Sequence, residues 1–251
     1  MIIFHNKDEE KIDMDLIEGI KYNIKGVMLS LKTPKLLMLG ILRFAFVVLL
    51  TFLLSGLVLY WHDEILMAIW KKPDSGWLIY LWNAVSYLLS IALAAVSMVM
   101  AYLISQLLFC VFIMDYMSRI TESIVLGQEM KPTQGSWFGF FIHLIKQEIP
   151  RAVIPVIITL FIMITGLFTP FSPIIIFISS IAAAVFLAWD NTDLVPARRL
   201  YSFKTRIGFL KKNLMFHIGF GVLFLIPGLN IVFLSFAPVG ATLSFIEREG
   251  K

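Results

Sequence analysis

Charge is scarce in this 251-residue chain: 15% of its residues are Asp, Glu, Lys or Arg, while 59% are hydrophobic. A soluble domain is nearer one quarter charged and one half apolar. With a mean hydropathy of +0.86, the composition excludes an ordinary water-soluble domain and marks an integral membrane protein. Cysteine is almost absent. Cys110 stands alone, so no disulfide can form within the chain. The four histidines, His5, His62, His143 and His217, are scattered. No HExxH, P-loop or G-x-S-x-G motif occurs. We therefore expect a non-enzyme with no metal, no cofactor and no nucleic-acid partner, and any transport is expected to be passive or ion-coupled. The first eighteen residues carry six acids and lack the short apolar stretch of a secretory signal. Insertion is expected to rely on internal apolar segments.

Those segments set the expected architecture. Residues 12–32 are amphipathic, with Ile17, Ile20, Ile24, Val27, Met28 and Leu31 at helical spacing. The spacing predicts a helix lying in the cytoplasmic interface, lysines toward headgroups. Residues 36–60 read as a first spanning helix. Its one charge, Arg43, is expected to snorkel to the headgroups, a pathway role being the second reading. A short polar loop, 61–76, follows, flanked by Trp61, Trp70 and Trp77. Residues 77–114 contain no charge and predict one long, tilted helix. Ser86, Ser90, Ala94, Ser97, Ala101 and Ser105 form a small-residue stripe along it, suited to close packing. The aromatic cluster at 136–145 reads as an interfacial segment or docking surface.

Two broken apolar stretches follow: 152–188, interrupted by "TPFSP", and 214–246, interrupted by "PGLN". Between them, 190–213 is basic. Pro227 stops a helix, Gly228 suits a left-handed helix end, and Asn230 is a good N-cap for a second helix. The arms at 214–226 and 231–246 would be about 20 and 24 Å long, short of a crossing. Such arms can enter and leave on one face, or cross as short spans. Residues 1–35 and 190–213 each hold six Lys/Arg, against two in 61–76. The first two segments are therefore expected in the cytoplasm, with both termini. A half-helix starting inside the bilayer aims N–H groups and a positive dipole end at an anion. Gly228 and Asn230 are candidate contacts there, and Arg198, Arg199 and Arg206 line the basic mouth. The expected fold is thus an all-α integral membrane protein, a single membrane domain over 1–251. It has two long transmembrane helices, two broken half-penetrating hairpins and an N-terminal interfacial amphipathic helix.

The motifs "WDNTD" (189–193), "SFKTR" (202–206), "HIGFGVLFLIPGLN" (217–230) and "APVGATL" (237–243) resemble the CysZ-type sulfate permease family, grouped with the eukaryotic etoposide-induced membrane proteins. "GIKYNIKGVMLSLKTPKL" (19–36) resembles that family's N-terminal helix. The resemblance implies a homo-oligomeric cell inner-membrane permease that takes up sulfate for cysteine synthesis. It associates a sulfate site with a Gly-Leu-Arg element at the N-terminal helix. The matching stretch here is Gly26-Val27-Met28, without the arginine; Lys25 and Lys32 are the nearest cations, and Arg43 stands near the middle of the next helix. The family's Asp-Asn pair is matched by Asp190-Asn191. Lys25, Gly26, Arg43, Asp190 and Asn191 thereby join the candidate contacts for sulfate or a related oxyanion. A non-transporting scaffold or regulator of another membrane complex is the alternative.

Overall fold

The computed structural model describes residues 7–127, 149, 153–166, 169–199 and 201–249, and among these there is no strand. The helices are α1 (Lys7–Lys32), α2 (Pro34–Tyr60), α3 (His62–Ile69), α4 (Gly76–Ser105) and α5 (Val111–Leu126). Then come α6 (Val153–Gly166), α7 (Ser172–Thr192), α8 (Leu194–Arg198), α9 (Phe203–Lys212), α10 (Leu214–Val222) and α11 (Leu229–Glu249). They belong to two compact units: residues 1–43 with 110–251, and residues 44–109. Among the described residues, four helices are long and apolar enough to cross a membrane: α2, α4, α7, and α11 over Leu229–Arg248. The aromatic cluster at 136–145 and His143 lie outside the described residues.

In the unit 44–109, α2 and α4 present mostly bulky apolar side chains outward. Phe52, Tyr60, Tyr80, Tyr87, Leu88 and Ile91 are all exposed. Half of the small-residue stripe is buried, namely Ser97, Ala101 and Ser105. Ser90 and Ser97 turn their hydroxyls back onto the carbonyls of Ser86 and Leu93, which leaves a smooth, self-satisfied face. The segment expected as a plain polar loop contains α3 instead. Its acids Asp63 and Glu64 lie in the first turn, where they complement the helix dipole, and Leu66 is buried. α4 does not end where charge returns. A single π turn, Gln106–Cys110, passes the chain into α5. On α5, Asp115 and Arg119 pair at 2.8 Å, as their four-residue spacing predicts.

The larger unit is organised by glycine. α1 buries Gly19, Tyr22, Asn23, Gly26 and Ser30, a stripe at spacings of three and four. A Cβ on Gly19 would sit 2.2 Å from the Phe216 carbonyl oxygen, and one on Gly26 would sit 2.4 Å from the Gly240 nitrogen. Backbones can meet this closely only where both sides are small. The predicted apolar stripe of α1 faces the other way, with Ile17, Ile24, Met28 and Leu31 exposed. Asn23 Nδ2 donates to the Phe220 carbonyl at 2.7 Å. That carbonyl lies in the last turn of α10, where no intrahelical donor is available.

Two sequence expectations about the last apolar stretch need correction. Gly228 adopts the predicted left-handed conformation, φ +83°. Asn230, however, does not cap the following helix. α11 begins at Leu229, and the Asn230 N–H already bonds to the Ile226 carbonyl at 2.9 Å. The left-handed glycine reverses the chain one residue earlier than a side-chain cap would need. The second arm is also longer than expected. α11 has 21 residues, or about 31 Å. Its polar end "ERE" prolongs it, because Glu247 and Arg248 find partners on α1. The first arm stays short: α10 and its 3-10 turn end at Leu225 and bend 76° from α9. α7 likewise runs past 188 to Thr192.

Candidate anion site around Arg43

Arg43 is expected at the headgroups; the structure buries it, 5% exposed. The cause lies on α11. Pro238 sits inside that helix and has no N–H, so the carbonyl four residues earlier loses its donor. That carbonyl belongs to Leu234, and Arg43 Nη1 donates to it at 2.7 Å. The same nitrogen reaches Asn191 Oδ1 at 3.3 Å. Asn191 is held in place by its own Nδ2, which donates to the Leu187 carbonyl at 2.7 Å. Three helices thus meet at one guanidinium: α2 supplies the charge, α11 an orphaned carbonyl, α7 an amide. Among the described residues Arg43 has no acidic partner, and Nε and Nη2 have no acceptor. A guanidinium carries five N–H donors in a planar fork, so its open edge is complementary to a planar or tetrahedral oxyanion.

The other candidate cations are differently placed. Arg206 is buried and closed by Asp193. Its Nε lies 2.8 Å from both carboxylate oxygens, and Nη2 also contacts Oδ2. Asp193 joins α7 to α8, so this pair fastens α9 to that junction. Arg198 is held by Asp115 at 2.9 Å, Glu122 at 2.5 Å and Ser118 at 3.2 Å. Arg199 lies 3.9 Å from Glu122 and over the Phe245 ring. The basic mouth expected from the sequence is therefore, at Arg198 and Arg206, a pair of internal clamps whose charge is matched by acids.

Lys25 and Gly26 lie on α1 against α11. Lys25 pairs with Glu247 at 3.1 Å and sits over Tyr22. Tyr22 donates to Glu247 at 2.9 Å. Burial first, then this hydrogen bond, push the Tyr22 hydroxyl up to about 12. Gly26 serves the close crossing with Gly240. Asp190 is buried in the same helical turn as Asn191. Gly228 lies in the exposed break between α10 and α11, and Asn230 is half-buried in the first turn of α11.

The structure therefore brings Arg43 and Asn191 together, with Asp190 adjacent in the chain. It does not join them to Lys25, Arg198, Arg206, Gly228 or Asn230. Sequence reasoning missed Leu234 and Pro238, although "APVGATL" contains that proline. A proline inside an apolar helix always marks a bare carbonyl four residues before it, and this was the available signal. It also missed His217, fully buried, whose Nδ1 donates to the Asn213 carbonyl at 2.7 Å while Nε2 meets the Thr192 hydroxyl at 2.9 Å.

No curated protein matches the chain significantly. The sequence model described as "Sulfate transporter CysZ/Etoposide-induced protein 2.4" matches residues 22–235. That stretch takes in α2, the Arg43 site and the break before α11. With four helices of membrane-crossing length among the described residues and most of its sequence matched, the chain is a multi-pass membrane protein that belongs to the CysZ/etoposide-induced protein 2.4 family.

Proposed function

We propose that the protein is a passive or ion-coupled permease for a small oxyanion, sulfate first among them, and that Arg43 is its internal anion contact. The observation that carries this reading is the buried guanidinium with an open edge and no acid among the described residues. A buried, unpaired charge costs several kcal/mol. A dianionic guest offsets that cost while bound, and two fixed acceptors on Nη1 keep the open edge oriented. Asn191 and the bare Leu234 carbonyl act as the positioning groups. Arg198 and Arg206 are already matched by acids, so they serve the scaffold around the path and leave anion contact to Arg43.

The membrane arrangement in this reading follows the charge distribution. The N-terminus and residues 190–213 face the cytoplasm of a cell with an inner membrane, α2 and α4 go out and back, and α10–α11 return to the side they left. The apolar stripe of α1, exposed along Ile17, Ile24, Met28 and Leu31, lies in the lipid interface. Copies associate as a homo-oligomer, and the sulfate delivered feeds cysteine synthesis.

The direct test is uptake of radiolabelled sulfate by liposomes carrying the purified protein. Uptake should exceed that of empty liposomes, and Arg43→Gln should lower it at least tenfold with the fold retained. Arg43→Lys should recover part of it, because it restores charge without the fork. Absence of sulfate flux through well-folded wild-type protein would remove the reading. Full flux through Arg43→Gln would remove Arg43 from it.

A further inference from the structure

A second cavity, separate from the Arg43 site in its lining residues, lies where α1, α7, α9, α10 and α11 come together. It measures about 260 Å³, a little below the usual range for drug-sized ligands. Its charged lining is Asp15, Lys212 and Arg248, and its apolar walls are Phe209, Phe216 and Phe245. Arg248 is committed: it donates to Asp15 Oδ1 at 3.0 Å, lies 3.8 Å from Glu18, and stacks on the Phe216 ring. Two groups are left over. Lys212 has no hydrogen-bond or ion-pair partner among the described residues, and neither does Asp15 Oδ2.

Lys212 and Asp15 are of opposite sign and line the same cavity, yet they do not pair with each other. The cavity between them is open. A guest carrying both charges bridges it: its carboxylate meets the Lys212 ammonium and its ammonium meets Asp15 Oδ2. Phe209, Phe216 and Phe245 supply apolar wall against which an aliphatic side chain can pack. We propose that this cavity binds a small zwitterion, an α-amino acid with an apolar side chain. A simple anion leaves Asp15 Oδ2 without a donor; a simple amine leaves Lys212 unmatched. The proposal does not depend on sulfate transport.

The test is calorimetric titration of the full chain in detergent with L-leucine, 4-methylpentanoate and 3-methylbutylamine. These share leucine's side chain and α-carbon and differ in carrying both charges, only the negative, or only the positive. Leucine should bind at least tenfold more tightly than either analogue. Lys212→Gln should weaken leucine at least tenfold while leaving 3-methylbutylamine unchanged. Lys212 is exposed, so this variant should keep the wild-type melting temperature. Asp15→Asn should weaken leucine and spare 4-methylpentanoate. Equal binding of the three probes overturns the proposal. So does undetectable leucine binding at about 1 mM, or an unaltered leucine affinity in Lys212→Gln.

Discussion

α4 and α11 have nearly the same credentials as membrane helices, yet they live in different surroundings. In the most apolar stretch of α4, 17% of residues are buried within the protein; in that of α11 the share is 61%. α4 turns Tyr80, Tyr87, Leu88 and Ile91 outward. α11 buries Ala237, Val239, Gly240, Ala241 and Thr242 in succession. Lipid tails accept bulky side chains, since nothing there has a fixed shape. A helix surrounded by other helices needs small residues, so that backbones approach and hydroxyls find acceptors. Thr242 shows this: its hydroxyl donates to the Pro238 carbonyl and lies 2.8 Å from the Ser118 hydroxyl, from which it can accept. Hydropathy alone does not separate the two cases, because lipid and protein interior are both apolar.

The comparison can be broken first at the buried ion pairs, which only the larger unit needs. Asp193→Ala leaves Arg206 buried without its acid, and should destabilise by about 3–5 kcal/mol. Thermal unfolding of the purified protein measures this; a melting temperature equal to wild type would show that Arg206 reaches water. Next come the close crossings. A side chain on Gly240 meets the Tyr22 carbonyl oxygen at 2.4 Å, whereas nothing lies within 4 Å of a Cβ on Gly56 of α2. Gly240→Leu should cost about 3 kcal/mol. Gly56→Leu should stay within about 1 kcal/mol of wild type, helped by better helix propensity. Similar losses at both sites would erase the contrast drawn here.

Smaller effects sharpen it. Gly228→Ala places a Cβ in the left-handed region, worth about 1–2 kcal/mol. Hydrogen exchange should rise at the start of α11 and stay unchanged in α4. Lys25→Ala removes a half-exposed pair with Glu247 and should cost less than about 1 kcal/mol, falling further in salt. Tyr22 gives a pH signature. Its hydroxyl is raised from 10.0 to about 12, so folding favours the protonated form. That contribution is whole below about pH 10 and is lost as pH rises toward about 12. Ultraviolet titration should show one tyrosine ionising after the others, and Tyr22→Phe should remove that late step.

Local features were readable from the chain because local forces set them. The turn at Pro227-Gly228, the helix over 36–60 beginning at Pro34, and the Asp115–Arg119 pair each depend on residues within a turn or two. Arg43 was legible as an unusual charge in an apolar helix, and Asn191 as a motif residue. Their meeting was not, because 148 positions separate them. The basic segment misled for a related reason. Counting charge along 190–213 does not reveal that Asp193 lies against Arg206, or that Asp115 and Glu122 reach Arg198 from α5. The small-residue stripe of α1 around Gly19 and Gly26 is masked in the sequence by the stronger isoleucine pattern of the same helix.

The sequence by itself determined that this protein partitions into a membrane, the left-handed turn at Gly228 and the family to which it belongs. Apolar composition, proline and glycine act over a few residues and need no partner to have their effect. Among the described residues, the tertiary structure alone decided which arginines are matched by acids and that Arg43 faces none. It also decided which apolar helix is sheltered from lipid. A buried charge is satisfied or left open by groups brought close in space, and the spacing of residues along a chain carries no record of that approach.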